Sequence, residues 1–404
     1  MKRIVLKFGG TSVGTVENIQ KVANIIKKRH KEDKEIIVIV SAMSGVTNEL
    51  KKKSELISKN FDSKELDTLL ASGEQASSSL LSGALIDLGI KARSWLGWQI
   101  PIVTDNNHTS SKIIKIKTQG ILKFISEGGV AVVAGFQGIT TDDRVSTLGR
   151  GGSDLSAVTV AKFFQTDLCE IYTDVEGVLT TDPFINKKAK KIDKISYEEM
   201  LEMAALGAKV MQPTSVQAAM IDNIIVHVRS VFSEKSGTKI VSESGIDYKK
   251  VVTGIAYSKN DAKVTLVGAE DKPGVAADIF EPLGNSNINV DMVIQNISSD
   301  GKKTDVTFTI KREDLRKTLS LIEKNNKNLN YQKIIHDDKV SKVSIIGAGM
   351  IVNPGVTHKM FRSLANERIN ILAISTSEIK ISVLVQEDST QKAVKALHKA
   401  FELD

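Results

Sequence analysis

The sequence predicts an α/β protein in which a mostly parallel β-sheet sandwiched by helices is followed by two ferredoxin-like βαββαβ units. Over about the first 245 residues, short runs rich in valine and isoleucine alternate with apolar patterns of helical period. This alternation is typical of a parallel sheet with helices on both faces. From about residue 246 onward, one apolar pattern occurs twice, which indicates two related smaller units.

The predicted elements of the first part are short apolar runs separated by amphipathic stretches. The strands are expected at 3–8, 35–41, 92–94, 102–103, 130–134, 168–173 and 225–228. The helices are expected at 15–31, 46–59, 63–88, 112–127, 154–164, 197–206 and 212–222. Ligands of such sheets bind at the carboxyl ends of the strands, so the residues that follow the first two strands are candidates for a site.

The C-terminal repeat starts at Val264 and again at Val343, and each copy contains a Pro-Gly pair followed by a helical pattern. The first copy closes with a candidate strand at 331–336, whereas the second ends on a helical pattern. We expect the run 251–257 to supply the missing strand and to pair with strands after residue 341. The expected domains are therefore 1–245, 263–337, and 246–262 joined to 338–404.

The composition is that of a globular protein with two or three domains. The 404 residues are 41% apolar, with six prolines, and the net charge is +7. The lysine runs at 51–53 and 187–191 lack interleaved aromatic residues, so we interpret them as solvated helix faces and expect no nucleic-acid partner. No run approaches the roughly 18 apolar residues of a membrane helix, so we expect a cytoplasmic protein with no membrane partner.

Two glycine-rich motifs carry the strongest functional signal. Lys7 is followed by Gly9-Gly10 after the first strand, and Arg150 lies within the Gly149–Asp154 motif ahead of a helix. Glycine lets backbone N–H groups approach phosphate oxygens, and phosphoryl transfer needs cations around the transferred group. The sequence contains no Walker A motif and no Gly-x-Gly-x-x-Gly after its first strand, so a kinase here has another architecture.

The second motif has two interpretations. Arg150 suits bidentate capture of a carboxylate, and Asp154 suits an amino group or an orienting role. Alternatively, Ser153 or Asp154 is only the N-cap of the next helix. For the first motif, the corresponding alternative is a plain strand-to-helix turn.

Several further polar residues are candidates with equally open alternatives. Glu74 opens a helix of small residues, where it can bind a ligand or interact with the helix dipole. Thr173, Asp174 and Asp182-Pro183 can hold a nucleotide or form a polar loop. Lys209 is either a phosphate-binding cation or an exposed helix-end lysine.

The metal-binding residue types are sparse. Cys169 is the single cysteine and lies in an apolar run, where a small core residue is expected. The six histidines show no zinc-ligand spacing. We therefore expect no resident metal site, and any metal would be Mg²⁺ carried on ATP.

The motifs occur in a fixed order along the chain: 7–12, 40–48, 72–74, 135–138, 149–154, and 172–174 with 182–183. This ordered set resembles the aspartokinases, and the paired C-terminal units resemble their ACT domains. The resemblance covers nearly the whole chain. It implies an amino-acid-kinase-type sheet and transfer of the γ-phosphoryl group of MgATP to the side-chain carboxylate of L-aspartate, giving 4-phospho-L-aspartate.

The resemblance also assigns residues. Those implied to contact ATP are Lys7, Phe8, Gly9, Gly10, Ser41, Thr173, Asp174, Leu179, Asp182, Pro183, Phe184 and Lys209. Those implied to hold aspartate are Ser41, Thr47, Glu74, Arg150, Gly151, Gly152, Ser153 and Asp154, with Lys7, Arg150 and Asp154 as the catalytic residues. The acceptor is already a carboxylate, so positioning and charge neutralisation should dominate over base catalysis.

The ACT resemblance implies feedback inhibition by lysine, threonine or both, and a dimer or tetramer of identical chains. The implied effector residues are Asp271, Gly274, Ala276, Gln295, Met350, Ser375, Ser377 and Glu378. The chain resembles an aspartokinase without a fused homoserine dehydrogenase. Two alternatives stay open: a related carboxylate kinase, such as one similar to glutamate 5-kinase, and a non-catalytic amino-acid sensor.

Overall fold

The computed structural model describes residues 3–32, 35–166, 168–208, 210–246, 250–297, 303–324 and 329–404. These residues form two compact units. The first unit comprises Met1–Leu179 and Lys191–Asp247, and the second comprises Thr180–Lys190 and Tyr248–Asp404.

The first unit is built on an eight-stranded sheet, counted over the described residues. Its strands in chain order are β1 (Ile4–Phe8), β2 (Ile36–Val40), β3 (Ala92–Trp95), β6 (Val130–Ala134), β9 (Leu168–Thr173), β10 (Lys194–Ser196), β11 (Ile225–Ser230) and β12 (Thr238–Val241). The spatial order is β10-β12-β11-β9-β1-β2-β6-β3. All neighbours are parallel except β11 and β12.

A second, smaller sheet in the first unit consists of β4 (Ile102–Thr104), β5 (Ile113–Ile116), β7 (Gln137–Ile139) and β8 (Val145–Thr147). Its spatial order is β5-β4-β7-β8. The helices of the first unit are α1 (Val16–His30), α2 (Val46–Ile57), α3 (Ser63–Asp87), α4 (Gln119–Ser126), α5 (Gly152–Phe163), α6 (Tyr197–Ala205) and α7 (Pro213–Ile221).

The core of this unit lies between the sheet and its helices. Every residue of β1, β2 and β6 is buried, as expected for central strands that helices cover on both faces. Helix α1 buries Ile19, Val22, Ala23 and Ile26, which recur at helical spacing on one face. This packing holds the carboxyl ends of β9, β1, β2 and β6 side by side.

The helix expected at 112–127 is wrong over its first part. Residues Ile113–Ile116 form β5, which pairs with β4, and the helix starts at Gln119. Isoleucine and lysine alternate over 114–117, which is the two-residue period of a strand. The short strands β7, β8, β10 and β12 were not predicted either.

The second unit contains one antiparallel sheet. Its strands are β13 (Gly254–Glu270), β14 (Val290–Ile297), β15 (Lys303–Lys311), β16 (Lys333–Ile346), β17 (Ala373–Thr376) and β18 (Lys380–Gln386), in the order β14-β15-β13-β16-β18-β17. Four helices are described in this unit: α8 (Val275–Asn285), α9 (Leu315–Lys324), α10 (Val356–Asn366) and α11 (Thr390–Ala400).

The strand pairing expected for the run 251–257 is confirmed for its residues from Gly254 onward. Gly254 pairs with Ile346, and Tyr257 pairs with Val343. The same two strands continue past a bulge and pair Val264 with His336. One long strand pair therefore serves both repeat copies, which share a single sheet.

The second unit also includes the segment Thr180–Lys190, which interrupts the first unit in sequence. The Thr180 carbonyl accepts a hydrogen bond from the Ile255 N–H at 2.8 Å. The Tyr257 hydroxyl donates to Asp182 at 2.8 Å, and Ile185 joins an apolar cluster with Val343. The expected domain 1–245 contains this segment in sequence, whereas in the structure the segment belongs to the second unit. Among the described residues, no helix has both the length and the apolar character needed to cross a membrane.

Candidate active site

Lys7 lies in the centre of the first unit. It is the fourth residue of β1, which pairs with β2 on one side and β9 on the other. The side chain is 10% exposed, and Nζ lies 2.5 Å from Oδ1 of Asp154 in the first turn of α5. A lysine at this depth requires a partner, and Asp154 both neutralises and orients it.

The loop after β1 approaches the loop after β2 closely. A Cβ atom on Gly10 would lie 2.9 Å from the Ala42 carbonyl oxygen, so only glycine fits there. The Gly9 N–H donates to the Tyr172 carbonyl at 3.2 Å, and the Ser41 N–H donates to the Phe8 carbonyl at 3.1 Å. These bonds join the ends of three neighbouring strands into one floor.

An open cavity of about 340 Å³ lies above this floor. It is lined by residues that follow β1, β2, β6 and β8 and by the starts of α2 and α5, with Glu74 from α3. The lining residues are Lys7, Gly10, Ser41, Ala42, Met43, Ser44, Gly45, Thr47, Asn48, Glu74, Phe136, Gly149, Arg150, Gly151, Gly152, Ser153 and Asp154. The structure thus brings together Lys7, Gly10 and all eight residues expected to hold aspartate.

Glu74 is a buried carboxylate with an incomplete set of donors. Glu74 is 3% exposed. Its Oε1 accepts one hydrogen bond from the Ala42 N–H at 2.9 Å. Oε2 has no hydrogen-bond partner among the described residues. Burial raises the pKa of Glu74 to about 7, against the lowering effect of the Ala42 N–H. A cation bound in the cavity would supply the missing partner.

Arg150 is exposed at the cavity, in a loop between β8 and α5. Gly149 and Gly151 flank it with φ angles of +75° and +74°, a region that favours glycine. No hydrogen bond or ion pair joins Arg150 to another residue in the described ranges. Its five N–H donors are therefore free to bind an anion.

The alternative that Ser153 or Asp154 caps α5 is not what the structure shows. The N-cap residue is Gly151, which has no side chain for capping. Ser153 and Asp154 lie in the first turn instead, both buried and both at the cavity.

Other expected ATP residues lie outside the cavity lining. Phe8 is buried and stacks on Tyr172 with ring centroids 4.8 Å apart. Thr173 and Asp174 follow β9, where the Thr173 hydroxyl donates to Asp174 at 3.0 Å. Leu179 ends the first part of unit one, whereas Asp182, Pro183 and Phe184 belong to the second unit. Lys209 lies outside the described residues.

Phe136 lines the cavity and was not predicted as a site residue. It follows β6 and has a φ angle of +67°, which is rare for a bulky side chain. The Leu148 N–H donates to its carbonyl, and its own N–H donates to Ser156. The motif at 135–138 was the available signal, but strain at one residue is invisible in sequence.

The expected effector residues occupy turns and edges of the second unit. Asp271, Gly274 and Ala276 lie at the turn into α8, and Gln295 lies on β14. Met350 is buried in a short 3-10 turn. Ser375 lies on β17, and Ser377 and Glu378 lie in the turn to β18. Met292 of β14 and Ala373 of β17 share a small apolar cluster, so the two edge strands approach each other.

The cavity lining contains two carboxylates, Glu74 and Asp154. No group of three or more His, Cys, Asp or Glu side chains in the described ranges could hold a metal ion. Mg²⁺ commonly uses one or two carboxylates together with substrate phosphates. Asp154 is the carboxylate that lies beside Lys7.

The fold and the site define an amino acid kinase that is joined to a pair of ACT domains. The model of the amino acid kinase family matches residues 2–230, and ACT domain models match residues 263–326 and 343–401.

Comparison with curated proteins narrows the family. The chain is 45% identical to an aspartate kinase of Pseudomonas putida over 405 aligned residues, with 100% of this chain and 98% of the relative covered. It is 44% identical to aspartokinase 2 of Bacillus subtilis, with the same coverage of both chains. The chain belongs to the aspartokinase family and is an ATP-dependent kinase.

Solved structures show the same fold. Aspartokinase III of E. coli, in complex with aspartate and ADP, matches with a TM-score of 0.82 at 24% identity, covering 99% of this chain and 100% of that one. Aspartate kinase from Synechocystis matches with a TM-score of 0.55 at 39% identity, covering 99% and 69%.

Proposed function

We propose that the chain transfers the γ-phosphoryl group of MgATP to the β-carboxylate of L-aspartate and so forms 4-phospho-L-aspartate. The observation that carries the proposal is the charge arrangement of the cavity. A buried carboxylate oxygen without a donor, on Glu74, and the unpaired guanidinium of Arg150 line the same space as Lys7. An α-amino acid has the two charges that would complete this arrangement.

The two unpaired groups would orient the acceptor. Glu74 Oε2 would accept from the α-ammonium group, and Arg150 would bind the α-carboxylate in bidentate fashion. Ser41, Thr47 and the turn 151–153 would complete the lining. The β-carboxylate of aspartate then faces Lys7, and no proton has to be removed from it at neutral pH.

The chemical step follows from this placement. A β-carboxylate oxygen attacks the γ-phosphorus, the new P–O bond forms, and the bond to the bridging oxygen of the β-phosphate breaks to release ADP. Lys7 stabilises the charge on the transferred group, and Asp154 holds Lys7 in position. Mg²⁺ bound to the phosphates supplies further charge neutralisation. Catalysis here rests on orientation and electrostatics rather than on a base.

ATP would bind beside this acceptor subsite, at the ends of β1, β2 and β9. We assign to it Lys7, Phe8, Gly9, Gly10, Ser41, Thr173, Asp174, Leu179, Asp182, Pro183, Phe184 and Lys209. The support for this assignment is the resemblance to the aspartokinases, together with the adjacency of the three strand ends.

The ACT pair would bind lysine, threonine or both and thereby inhibit the kinase. The residues proposed for the effector are Asp271, Gly274, Ala276, Gln295, Met350, Ser375, Ser377 and Glu378. Inhibition requires that the effector bind one conformation more tightly than the other. We further propose a cytoplasmic homo-oligomer, with a catalytic domain at 1–245 and two ACT domains at 263–337 and at 246–262 with 338–404.

Hydroxamate formation tests the reaction directly. An acyl phosphate reacts with hydroxylamine, so ATP- and aspartate-dependent hydroxamate should appear and should fall when lysine, threonine or both are added. Product with glutamate but not with aspartate would overturn the substrate assignment. Activity that none of the amino acid additions changes would overturn the regulatory assignment.

A further inference from the structure

A second buried carboxylate, Asp67, lies on α3 outside the cavity lining. It is 0% exposed. Its Oδ2 lies 2.7 Å from Nδ1 of His108, and the Thr109 N–H lies 3.1 and 3.0 Å from its two oxygens. The Thr147 hydroxyl donates to Oδ1. Three residues from two separate segments therefore converge on one side chain.

The direction of the His108 hydrogen bond follows from this donor set. An ionised carboxylate only accepts hydrogen bonds, so Nδ1 of His108 carries a hydrogen and donates it. Both Asp67 oxygens then have donors, which is the condition for burying a carboxylate without a large penalty.

The network contacts the loop that carries Arg150 on the N-terminal side of that residue. Thr147 is the last residue of β8, three residues before Arg150. The Ser111 N–H donates to the Thr147 carbonyl at 2.9 Å. The Thr109 carbonyl lies 3.1 Å from the point where a Cβ on Gly149 would sit. The 108–111 segment thus packs directly against the residue that precedes Arg150.

Thr109 has an uncommon backbone conformation at this contact. Its φ angle is +65°, which is unfavourable for a β-branched residue and persists only where the surroundings hold it. The hydrogen bond from its N–H to Asp67 and the adjacent His108 bond supply that constraint. Loss of either would release the segment beneath Gly149.

Helix α3 connects this network to the other half of the acceptor subsite. Asp67 and Glu74 are seven residues apart, or about two turns and 10 Å along the helix axis. The same helix therefore positions Glu74 directly and the Arg150 loop through Asp67. The separation between the ammonium-binding and carboxylate-binding groups depends on a single rigid element.

We propose that Asp67 and His108 are positioning residues that set the distance between Arg150 and Glu74 for the α-carboxylate and α-ammonium groups of the acceptor. This inference rests on the proposed function of the cavity. It assigns to the pair a role in acceptor specificity, without contact to substrate.

Steady-state kinetics of His108→Ala test the role. We expect kcat/KM for aspartate to fall about tenfold, as for loss of one hydrogen bond to a charged group, while KM for ATP changes less than twofold. His108→Gln, which keeps a donor, should recover part of the loss. His30→Ala is the matched control, because His30 is a half-buried histidine that bonds to the Gly128 carbonyl.

A double-mutant cycle with Arg150→Ala separates positioning from general stabilisation. If His108 acts through Arg150, adding His108→Ala to Arg150→Ala should leave kcat/KM for aspartate unchanged within about twofold. A full additional loss in that background, or equal losses for aspartate and ATP, would overturn the proposal. If His108→Ala does not fold, Thr147→Val removes one donor from Asp67 with nearly the same shape and enters the same cycle.

The hydroxamate assay of the wild type distinguishes failure of the positioning role from failure of the proposed function. A wild type that forms no aspartate hydroxamate would refute the proposed function and the positioning role together. An active wild type whose preference for aspartate is unaffected by His108→Ala or Thr147→Val would refute the positioning role alone.

Discussion

Helix α3 carries two buried carboxylates, Asp67 near its N-terminus and Glu74 in its middle. The two differ in how many hydrogen-bond donors surround them. Asp67 accepts hydrogen bonds from three residues. Glu74 accepts one, from the Ala42 N–H, and its Oε2 has no partner among the described residues. Burial raises the pKa of Glu74 to about 7. The protein itself completes the first group, whereas the second is left for a ligand to complete.

The cations of the same unit divide in the same way. Arg29 is paired with the buried Glu170, and Lys7 is paired with Asp154. Arg150 is exposed and forms no ion pair within the described part of the chain. The charged groups at the cavity that lack a partner are thus one carboxyl group, on Glu74, and one cation, Arg150. Their charges are complementary to the ammonium and carboxylate groups of an amino acid zwitterion.

Lys7 is an exception to this division, because it is paired with Asp154 and also lines the cavity. If pairing alone identified a structural group, Lys7→Ala would mainly change stability. We expect instead that kcat falls by at least about 10³-fold, because the transferred phosphoryl group loses its protein cation. Hydroxamate kinetics measure the loss, and circular dichroism checks that the variant is folded. A folded variant with near-normal turnover would remove Lys7 from catalysis.

Arg150→Ala sharpens the comparison on the cation side. Loss of a bidentate charge-assisted contact should raise KM for aspartate by about 10²-fold, with little change in KM for ATP. Arg144→Ala is the control. Arg144 lies just before β8, whereas Arg150 follows it, and Arg144 pairs with Glu65 at the surface. An equal rise in both KM values, or the same rise in the control, would place Arg150 outside the acceptor subsite.

Part of the candidate site and most of the fold could be predicted from the sequence. The motifs around Lys7, Glu74 and Arg150 were recognisable, because glycine spacing and isolated charges reflect local requirements for close approach and anion binding. The fold class followed from the alternation of strand and helix patterns. The pairing of residues 254–257 with 343–346 followed from counting strands in the repeat.

The rest depended on contacts that sequence patterns do not encode. Asp67 and His108 are 41 residues apart, and neither lies in a recognisable motif. The expectation that Glu74 opens a helix was wrong, because Glu74 lies in the middle of α3 (Ser63–Asp87) rather than in its first turn, so a helix-dipole role is excluded by its position. The helix expected from residue 112 failed because β5 pairs with β4, and pairing overrides local helix preference.

Opposite stability changes of Asp67→Asn and Glu74→Gln test the comparison itself. Asparagine cannot accept on both former oxygens, so Asp67→Asn should lower the free energy of unfolding at pH 8 by about 3 kcal/mol. Glutamine removes a charge that lacks a partner, so Glu74→Gln should raise it by up to about 3 kcal/mol. Urea unfolding without substrate measures both changes.

The sign for Glu74 is set by proton binding. Its pKa in the folded protein, about 7, exceeds the ordinary value of 4.5, so the folded state binds more protons between these values. The free energy of unfolding therefore decreases as pH rises from about 4.5 to about 7, and Glu74→Gln abolishes this part of the decrease. Destabilisation by both variants at pH 8 would contradict the distinction between the two acids.

The smallest expected effect is the pH dependence of aspartate binding. Only ionised Glu74 attracts an ammonium group, and a group with a pKa of about 7 is ionised about tenfold more at pH 8 than at pH 6. The value of kcat/KM for aspartate reports on groups of the free enzyme. It should therefore rise about tenfold over this range in the wild type and remain nearly flat in Glu74→Gln.

Saturating aspartate provides an internal control for this profile. Once an ammonium group pairs with Glu74, the pKa of the carboxyl falls, so kcat/KM for ATP measured at saturating aspartate should change little between pH 6 and 8. Parallel profiles for wild type and Glu74→Gln would show that another group titrates, and the missing partner of Oε2 would then have no bearing on acceptor binding. A rise confined to wild type and to aspartate would tie the unpaired acid to the ligand that completes it.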